Sequence, residues 1–354
     1  MFPFKKKSAP VLGIDITATA IKLTELSKSG DKYRIESYSV EPLPANSVVE
    51  KNIADADAVG EAIGRAVKKS GTRVKGGAAA VSGSAVITKI IAMPADLSEE
   101  DMESQIQLEA DQYIPFPLEE VSMDFEVLGP VEGSEGQVNV LLAASRSENV
   151  DLRIAALEVG GLDVKVVDVE AFALENTVAM MANDLFSGGG ENQVIAVADV
   201  GSAVTTFSVL ENLKIVYSRE QAFGGAQLTE DIQRRYGLSY EEAGLAKKQG
   251  GLPDNYEAEV LEPFKESMVQ QISRAQQFFF SSSPITQIDH LILAGGCASI
   301  AGIAGLVEEA TGIKTTIANP FATMTLSSKV PTQALSNDAP SLMVSCGLAL
   351  RSFD

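Results

Sequence analysis

The chain has 354 residues and a formal net charge of −20 at neutral pH. It is too long for one compact core, its 45% hydrophobic and 21% charged residues are an ordinary globular mix, and its excess acidity excludes broad binding to a nucleic-acid backbone. Two cysteines and one histidine, His290, exclude a disulfide framework, a four-cysteine zinc site and histidine-based triads.

The start carries Phe2, Phe4 and the basic trio Lys5, Lys6 and Lys7, but Asp15 interrupts the apolar run a signal peptide would need. This cluster reads as a solvated tail, with brushing against an anionic membrane surface as the alternative. The longest uncharged stretch, residues 291–307, carries four glycines and reads as strand, turn and helix. A membrane span needs about 20 strongly apolar residues. A cytoplasmic protein is the expectation.

In chain order, residues 11–16 form an apolar run ending at an acid, and 20–26 and 33–40 continue it as an antiparallel meander. Residues 55–69 have helical apolar spacing and stop at Gly71. Strands are predicted at 77–82 and 85–92, then a helix from Ser98, with Asp101 as its capping partner, to Tyr113. Prolines end it. Strands at 121–128 and 137–144 flank a glycine- and glutamate-rich turn, a helix spans 147–159, a strand 163–169 and a helix 170–185. Residues 91–160 therefore read as a small inserted α+β unit. Gly188, Gly189 and Gly190 mark a break between halves. Beyond it come strands at 193–199, 203–210 and 213–219 and helices at 225–236, 240–249 and 257–282, the last with Pro263 near its true start. A strand at 290–294, a helix at 299–310, a strand at 313–318 and a helix at 340–350 complete the chain.

The two halves begin alike. Residues 15–23 (DITATAIKL) can be laid on residues 199–207 (DVGSAVTTF): an apolar strand, an aspartate at its end, a turn of small or hydroxyl residues, then another strand. A tight turn of small residues exposes N–H groups that bind anionic phosphate. Two such turns facing each other hold a polyphosphate from both sides, and an aspartate at each strand end can hold Mg²⁺ through water. Either hairpin alone reads as an ordinary turn; the repeat favours function. A third element, residues 291–298 (LILAGGCA), runs a buried strand into two glycines and a helix expected to start near Ser299 and to direct its dipole at an anion.

Together these elements resemble the actin-like ATPase superfamily. Residues 13–22 look like its first phosphate motif, 199–206 its second, 291–302 its adenosine motif, and the segments from Val169 to Ala173 and from Asp338 to Ala349 its two connecting motifs. Five motifs in the family's order span the whole chain. The insertion is similar to that of the FtsA branch. Within it, residues 13–16 (GIDI), 109–116 (EADQYIPF) and 222–225 (AFGG), with Ala243 and Lys247, resemble the PilM family of type IV pilus assembly.

That resemblance implies an actin-like ATPase fold: two ribonuclease-H-like lobes around a nucleotide cleft, with an FtsA-type insertion. The lobe divisions expected from it are a first lobe over 1–90 and 161–192, an insertion over 91–160, a second lobe over 193–335, and a C-terminal helix over 336–354 returning to the first lobe. It implies ATP and Mg²⁺ as ligands, slow hydrolysis at most, and a partner: the N-terminal cytoplasmic tail of a PilN-type inner-membrane protein, docked between the first lobe and the insertion. The implied localisation is cytoplasmic, held at the inner membrane through that partner, with further pilus components and self-association as other contacts.

The implied nucleotide residues are Asp15, Thr17, Ala18, Thr19 and Lys22 from the first half. From the second they are Asp199, Gly201, Ser202, Ala203, Gly224, Gly225, Lys247, Gly295, Gly296 and Cys297. Asp15 and Asp199 are the magnesium candidates. Thr17 stands where relatives carry glycine, and its hydroxyl is a possible donor to phosphate. Lys22 reaches phosphate or is a solvated strand lysine. Glu170 positions an attacking water or serves the helix dipole. Gly244 stands where a glutamate would touch ribose, with Glu241 or Glu242 as substitutes. Gln112, Tyr113, Pro115 and Phe116 line a peptide groove or pack a turn. Cys297 and Cys346 are expected to be buried, inert and near one another. A small-molecule kinase and an FtsA-like polymer are the competing functions on the same fold.

Overall fold

An apolar run that ends in an acid sits most favourably in the middle of a sheet, and the first strand does so. The computed structural model describes residues 10–186 and 189–354; the Phe2 to Lys7 cluster and Gly188 lie outside the described residues. β1 (Val11–Ile16) is buried throughout. It continues through β2 (Ala20–Ser29) and β3 (Lys32–Pro42) as an antiparallel meander. A miniature hairpin, β4 (Val48–Val49) and β5 (Asn52–Ile53), follows. α1 (Ala56–Ser70) starts where the Asp55 carboxylate accepts the Ala58 N–H at 2.9 Å and ends at left-handed Gly71. β6 (Gly76–Val81) lies parallel to β1.

The insertion begins at β7 (Val86–Pro94) and carries α2 (Glu99–Glu109), β8 (Val121–Pro130) and β9 (Gln137–Arg146) in a separate three-stranded sheet ordered β7-β9-β8. Ser98 caps α2 through the Asp101 N–H. The helix ends at Glu109, and a single 3₁₀ turn carries the chain to Gln112.

α3 (Ser147–Val159) and β10 (Asp163–Val169) return to the first lobe. Helical periodicity placed α3 in the insertion, but its buried Ala156 and Leu157 pack with Val59, Ile63 and Ala66 of α1. Periodicity shows that a helix has an apolar face, not which sheet receives it. We propose that the insertion be drawn as 86–146, with α3 in the first lobe.

α4 (Glu170–Leu185) crosses to the second lobe. There β11 (Val194–Val200), β12 (Thr205–Glu211) and β13 (Lys214–Gln221) repeat the meander. α5 (Gly225–Tyr236), α6 (Tyr240–Gln249) and α7 (Glu262–Ser282) follow, the last with Pro263 in its first turn after a short π-helical segment. β14 (His290–Ala294), α8 (Ile303–Thr311) and β15 (Thr315–Ile317) complete this lobe. The chain then returns through β16 (Thr325–Leu326), α9 (Thr332–Asp338) and α10 (Met343–Leu350).

The sheet orders show the duplication. The first lobe reads β10-β6-β1-β2-β3-β16 and the second β13-β12-β11-β14-β15. Each has a central strand with an antiparallel neighbour on one side and a parallel one on the other.

α4 lies between the lobes. Leu174, Val178 and Met181 pack on the second lobe's sheet, while Ala173 packs with Val11, Ala78 and Leu348 of the first. α10 presses so closely on β1 that a Cβ at Gly13 would lie 1.9 Å from the Ser345 carbonyl oxygen. Cys297 and Cys346 are both free and buried but belong to different cores, one in each lobe. Linear motif order could not separate them. Burial pushes their thiols up to about 11 and about 12 respectively. His290 is structural: its Nε2 is 2.9 Å from Thr316 Oγ1 and its ring meets Phe186 edge-on.

Candidate nucleotide cleft

The two hairpins bring their turns together. In each, the first turn residue donates its N–H to the carbonyl three residues on: Thr17 to Ala20 and Gly201 to Val204, both at 3.1 Å. Between them lies a cavity of about 80 Å³, lined by Asp15, Thr17, Ala18 and Lys22 from one side and Asp199, Gly201, Ser202 and Ala203 from the other. That is room for a phosphate group, not for a whole nucleotide.

Asp15 is almost fully buried, and Lys22, its register partner on β2, bonds its Oδ2 at 3.1 Å. Burial works against the Lys22 charge, but Asp15 and Asp199 outweigh it and hold its pKa above the usual value. The register partner of Asp199 is Thr206, not a cation. Burial raises the Asp199 pKa, and Lys22 and Lys51 oppose that at longer range. The cavity therefore holds two aspartates and two lysines, only one of each in direct contact. Carboxylates of this kind suit a hydrated Mg²⁺ carried on a phosphate, with backbone turns and ammonium groups for the phosphate oxygens.

Glu170, the first residue of α4, also lines the cavity. Burial raises its pKa, which the Lys51 ammonium 2.7 Å away offsets only in part. Sequence reasoning missed Lys51. It lies at the tip of the β4–β5 hairpin, where both Glu50 and Lys51 have positive φ, 48° and 64°. Such turns normally announce themselves with asparagine and glycine, and Glu-Lys carries no such signal.

The remaining glycines gather behind the second turn, outside the cavity. The Gly225 N–H donates to Gly201 O at 3.0 Å, and a Cβ on Gly224 would meet Ser202 O at 2.4 Å. Gly295, at φ 85°, presses on Val200 and Asp199, where a Cβ would be 2.3 Å from the Val200 carbonyl oxygen. Lys247 donates to Gly225 O and Thr229 Oγ1, so it holds the start of α5 in place. Burial lowers its pKa. Cys297 Sγ lies 3.7 Å from Gly201 O. Gly296 faces open space.

Several expectations change. The Thr17 hydroxyl donates to Ala20 O at 2.8 Å, so the turn consumes the proton expected for phosphate. Thr19 is exposed and does not line the cavity; its carbonyl accepts the Leu43 N–H. The helix expected near Ser299 begins only at Ile303, after a 3₁₀ turn and left-handed Gly302, so its dipole starts farther from the glycines. Glu242 is committed to the capping box of α6 with Ser239, and Glu241 is exposed.

The four expected peptide residues divide between the insertion's core and its surface. Tyr113 and Phe116 pack in the insertion's own core, with the Arg146 guanidinium 4.3 Å from the Phe116 ring centroid, while Gln112 and Pro115 are exposed. A groove of about 250 Å³ lies elsewhere, between β8 of the insertion and β10 of the first lobe. Both are edge strands with one unpaired side. Val166, Phe125 and Phe172 give it apolar walls. Asp124 and Glu126 are exposed beside it, and Asp168 is held there by Arg351 at 2.7 Å.

The sequence profile of the family described as type IV pilus assembly protein PilM matches residues 13–353. The chain belongs to the PilM family. A solved structure titled "PilM-PilN type IV pilus biogenesis complex" is similar at 28% identity and a TM-score of 0.78, covering 98% of this chain and 99% of that one. The ethanolamine utilization protein EutJ from Carboxydothermus hydrogenoformans matches at 14% identity and a TM-score of 0.53, over 96% of this chain and 89% of that one, and shares the fold. This PilM family member has the actin-like ATPase fold, which points to nucleotide binding. No helix among the described residues is long and apolar enough to cross a membrane.

Proposed function

We propose that this chain is an ATP-binding scaffold of type IV pilus assembly, which takes the N-terminal tail of a PilN-type inner-membrane partner in the groove between β8 and β10. The observation that carries the nucleotide half is the paired cavity, in which each lobe supplies one aspartate and one tight turn. Family membership and the similarity to a PilM-PilN complex support the partner half. Under this reading the chain works at the cytoplasmic face of the inner membrane and is held there by its partner.

Asp15 and Asp199 would hold Mg²⁺ through its water shell, and the cation would neutralise phosphate charge between the lobes. The N–H groups of Ser202 and Ala203 in the second turn would bind phosphate oxygens, with Lys22 beside them. Glu170 is the group placed to orient a water, but Lys51 occupies it as the structure stands. That pairing favours slow hydrolysis. Neither the kinase nor the FtsA-like reading gains support from the family match.

The experiment is a titration of the full chain with a synthetic peptide of the PilN-type N-terminal tail, with and without Mg-ATP. Saturable binding that Glu126→Lys and Phe172→Ala weaken supports the groove. Binding that is indifferent to both variants, or no binding at all, rejects it.

A further inference from the structure

A chain of polar side chains leaves the phosphate cavity on the side of the insertion. The Lys51 ammonium is 2.7 Å from Glu170 Oε2 in α4 and 2.9 Å from Glu220 Oε1 on β13 of the second lobe. It also donates to Thr206 Oγ1 at 3.4 Å. Glu220 in turn accepts from Ser82 Oγ at 3.3 Å, and Ser82 Oγ is 2.9 Å from Ser84 Oγ. Ser82 and Ser84 lie in the link between β6 and β7, one of two places where the chain crosses between the first lobe and the insertion. The other crossing is tied to it, because Ser145 donates its hydroxyl to Ala85 O at 2.9 Å.

The space around this chain is open. A cavity of about 390 Å³ shares Lys51, Glu170 and Thr206 with the phosphate cavity and extends to Ser84 and Val86 at the foot of the insertion. The tip of Lys51 can therefore move, while its backbone cannot easily follow. The Lys51 carbonyl accepts from Arg153 Nη2 at 3.2 Å, and the same guanidinium is anchored on the Ala80 carbonyl. One ammonium thus serves two carboxylates, one on α4 and one on the second lobe. A polyphosphate entering the cavity competes for that ammonium, and charge-assisted bonds to phosphate are among the strongest available.

We propose that Lys51 and Glu220 form a relay that reports occupancy of the phosphate cavity to the insertion. Phosphate draws Lys51 inward, the bridge to Glu220 opens, and the second lobe loosens its hold on the link at Ser82 and Ser84. The β8–β10 groove, whose walls include Val81 and Val86 at the two ends of that link, changes as a result. The relay rests on the reading of the cleft as a nucleotide site and of the groove as the partner site.

The test uses the full chain, Mg-ATP and the PilN-type tail peptide, with Glu220→Gln and the double variant Ser82→Ala/Ser84→Ala. In the wild type the peptide Kd is expected to change by about fivefold or more with Mg-ATP, and in both variants by less than about twofold. Glu220 does not line the phosphate cavity, so Mg-ATP itself should still bind Glu220→Gln. Amide exchange at residues 82–86 should quicken with Mg-ATP in the wild type and not in Glu220→Gln. The relay is overturned if both ligands bind the wild type independently, or if a folded variant keeps the wild-type response. If the wild type binds neither ligand, the site reading itself fails and takes the relay with it. Should Glu220→Gln not fold, the serine variant carries the comparison.

Discussion

The β1–β2 and β11–β12 hairpins solve one geometric problem with two different charge arrangements. Both end a buried strand at an aspartate and close the next turn with the same backbone bond at 3.1 Å. In the first hairpin the residue opposite the aspartate is Lys22, which neutralises it; in the second it is Thr206, and Asp199 has no ion-pair partner among the described residues. Backbone geometry is duplicated while charge is not. The first aspartate should therefore matter more for stability and the second more for ligand.

The sharpest way to break this contrast is to neutralise each aspartate in turn. Asp15→Asn leaves Lys22 desolvated without its counter-charge and should cost about 3 kcal/mol of stability, measured by denaturant unfolding. Asp199→Asn removes a desolvated, unpaired carboxylate and should leave stability unchanged or raise it. Equal losses in the two variants would refute the asymmetry. In binding the order should reverse, with Asp199→Asn weakening Mg-ATP by about 10–100-fold while leaving Mg-free nucleotide far less affected. Isothermal titration with and without Mg²⁺ reads that difference.

A smaller effect sharpens the comparison of the turns. The Thr17 hydroxyl bonds Ala20 O, a bond that the glycine of the second turn cannot make. Thr17→Ala should lower the melting temperature by an amount equivalent to about 1 kcal/mol without altering nucleotide affinity. A large loss of affinity instead would return the hydroxyl to the ligand.

The smallest expected effect is silence at neutral pH. The raised thiol pKa values of Cys297 and Cys346, one in each lobe, favour the native state fully below the unfolded thiol pKa, near 9. That contribution is lost as pH rises through about 11 and about 12. The native chain should resist alkylation at pH 8, and its unfolding free energy should fall on going above pH 9. Rapid labelling of either cysteine at pH 8 would contradict its burial.

The lobes were legible because their signals are local: apolar strands, terminal acids and small-residue turns recur in order, so Asp15 and Asp199 could be paired across the chain. Lys51 was not, because its hairpin holds Glu50 and Lys51 at positive φ without a residue type that advertises it. Tyr113 and Phe116 left two readings open for a related reason. Aromatic residues beside prolines suit a groove and a small core equally well, and only the position of β9 beneath them decides between the two. The boundary proposed for the insertion at Arg146 was not legible, because the sequence does not say that Ala156 and Leu157 of α3 pack against α1.

The crossing of α10 over Gly13 bears on biosynthesis. β1 is among the first described segments to leave the ribosome, yet the surface it offers stays open until Ser345 and Ala349 arrive more than 300 residues later. The Val11 N–H likewise waits for the Ser352 hydroxyl. The second lobe, by contrast, is one continuous stretch from β11 to β15 and can close its sheet earlier. Contacts this distant along the chain make folding slow and leave apolar surface exposed meanwhile. A ribosome-bound chain halted before α10 should therefore carry a protease-resistant second lobe beside a first lobe that is still being digested.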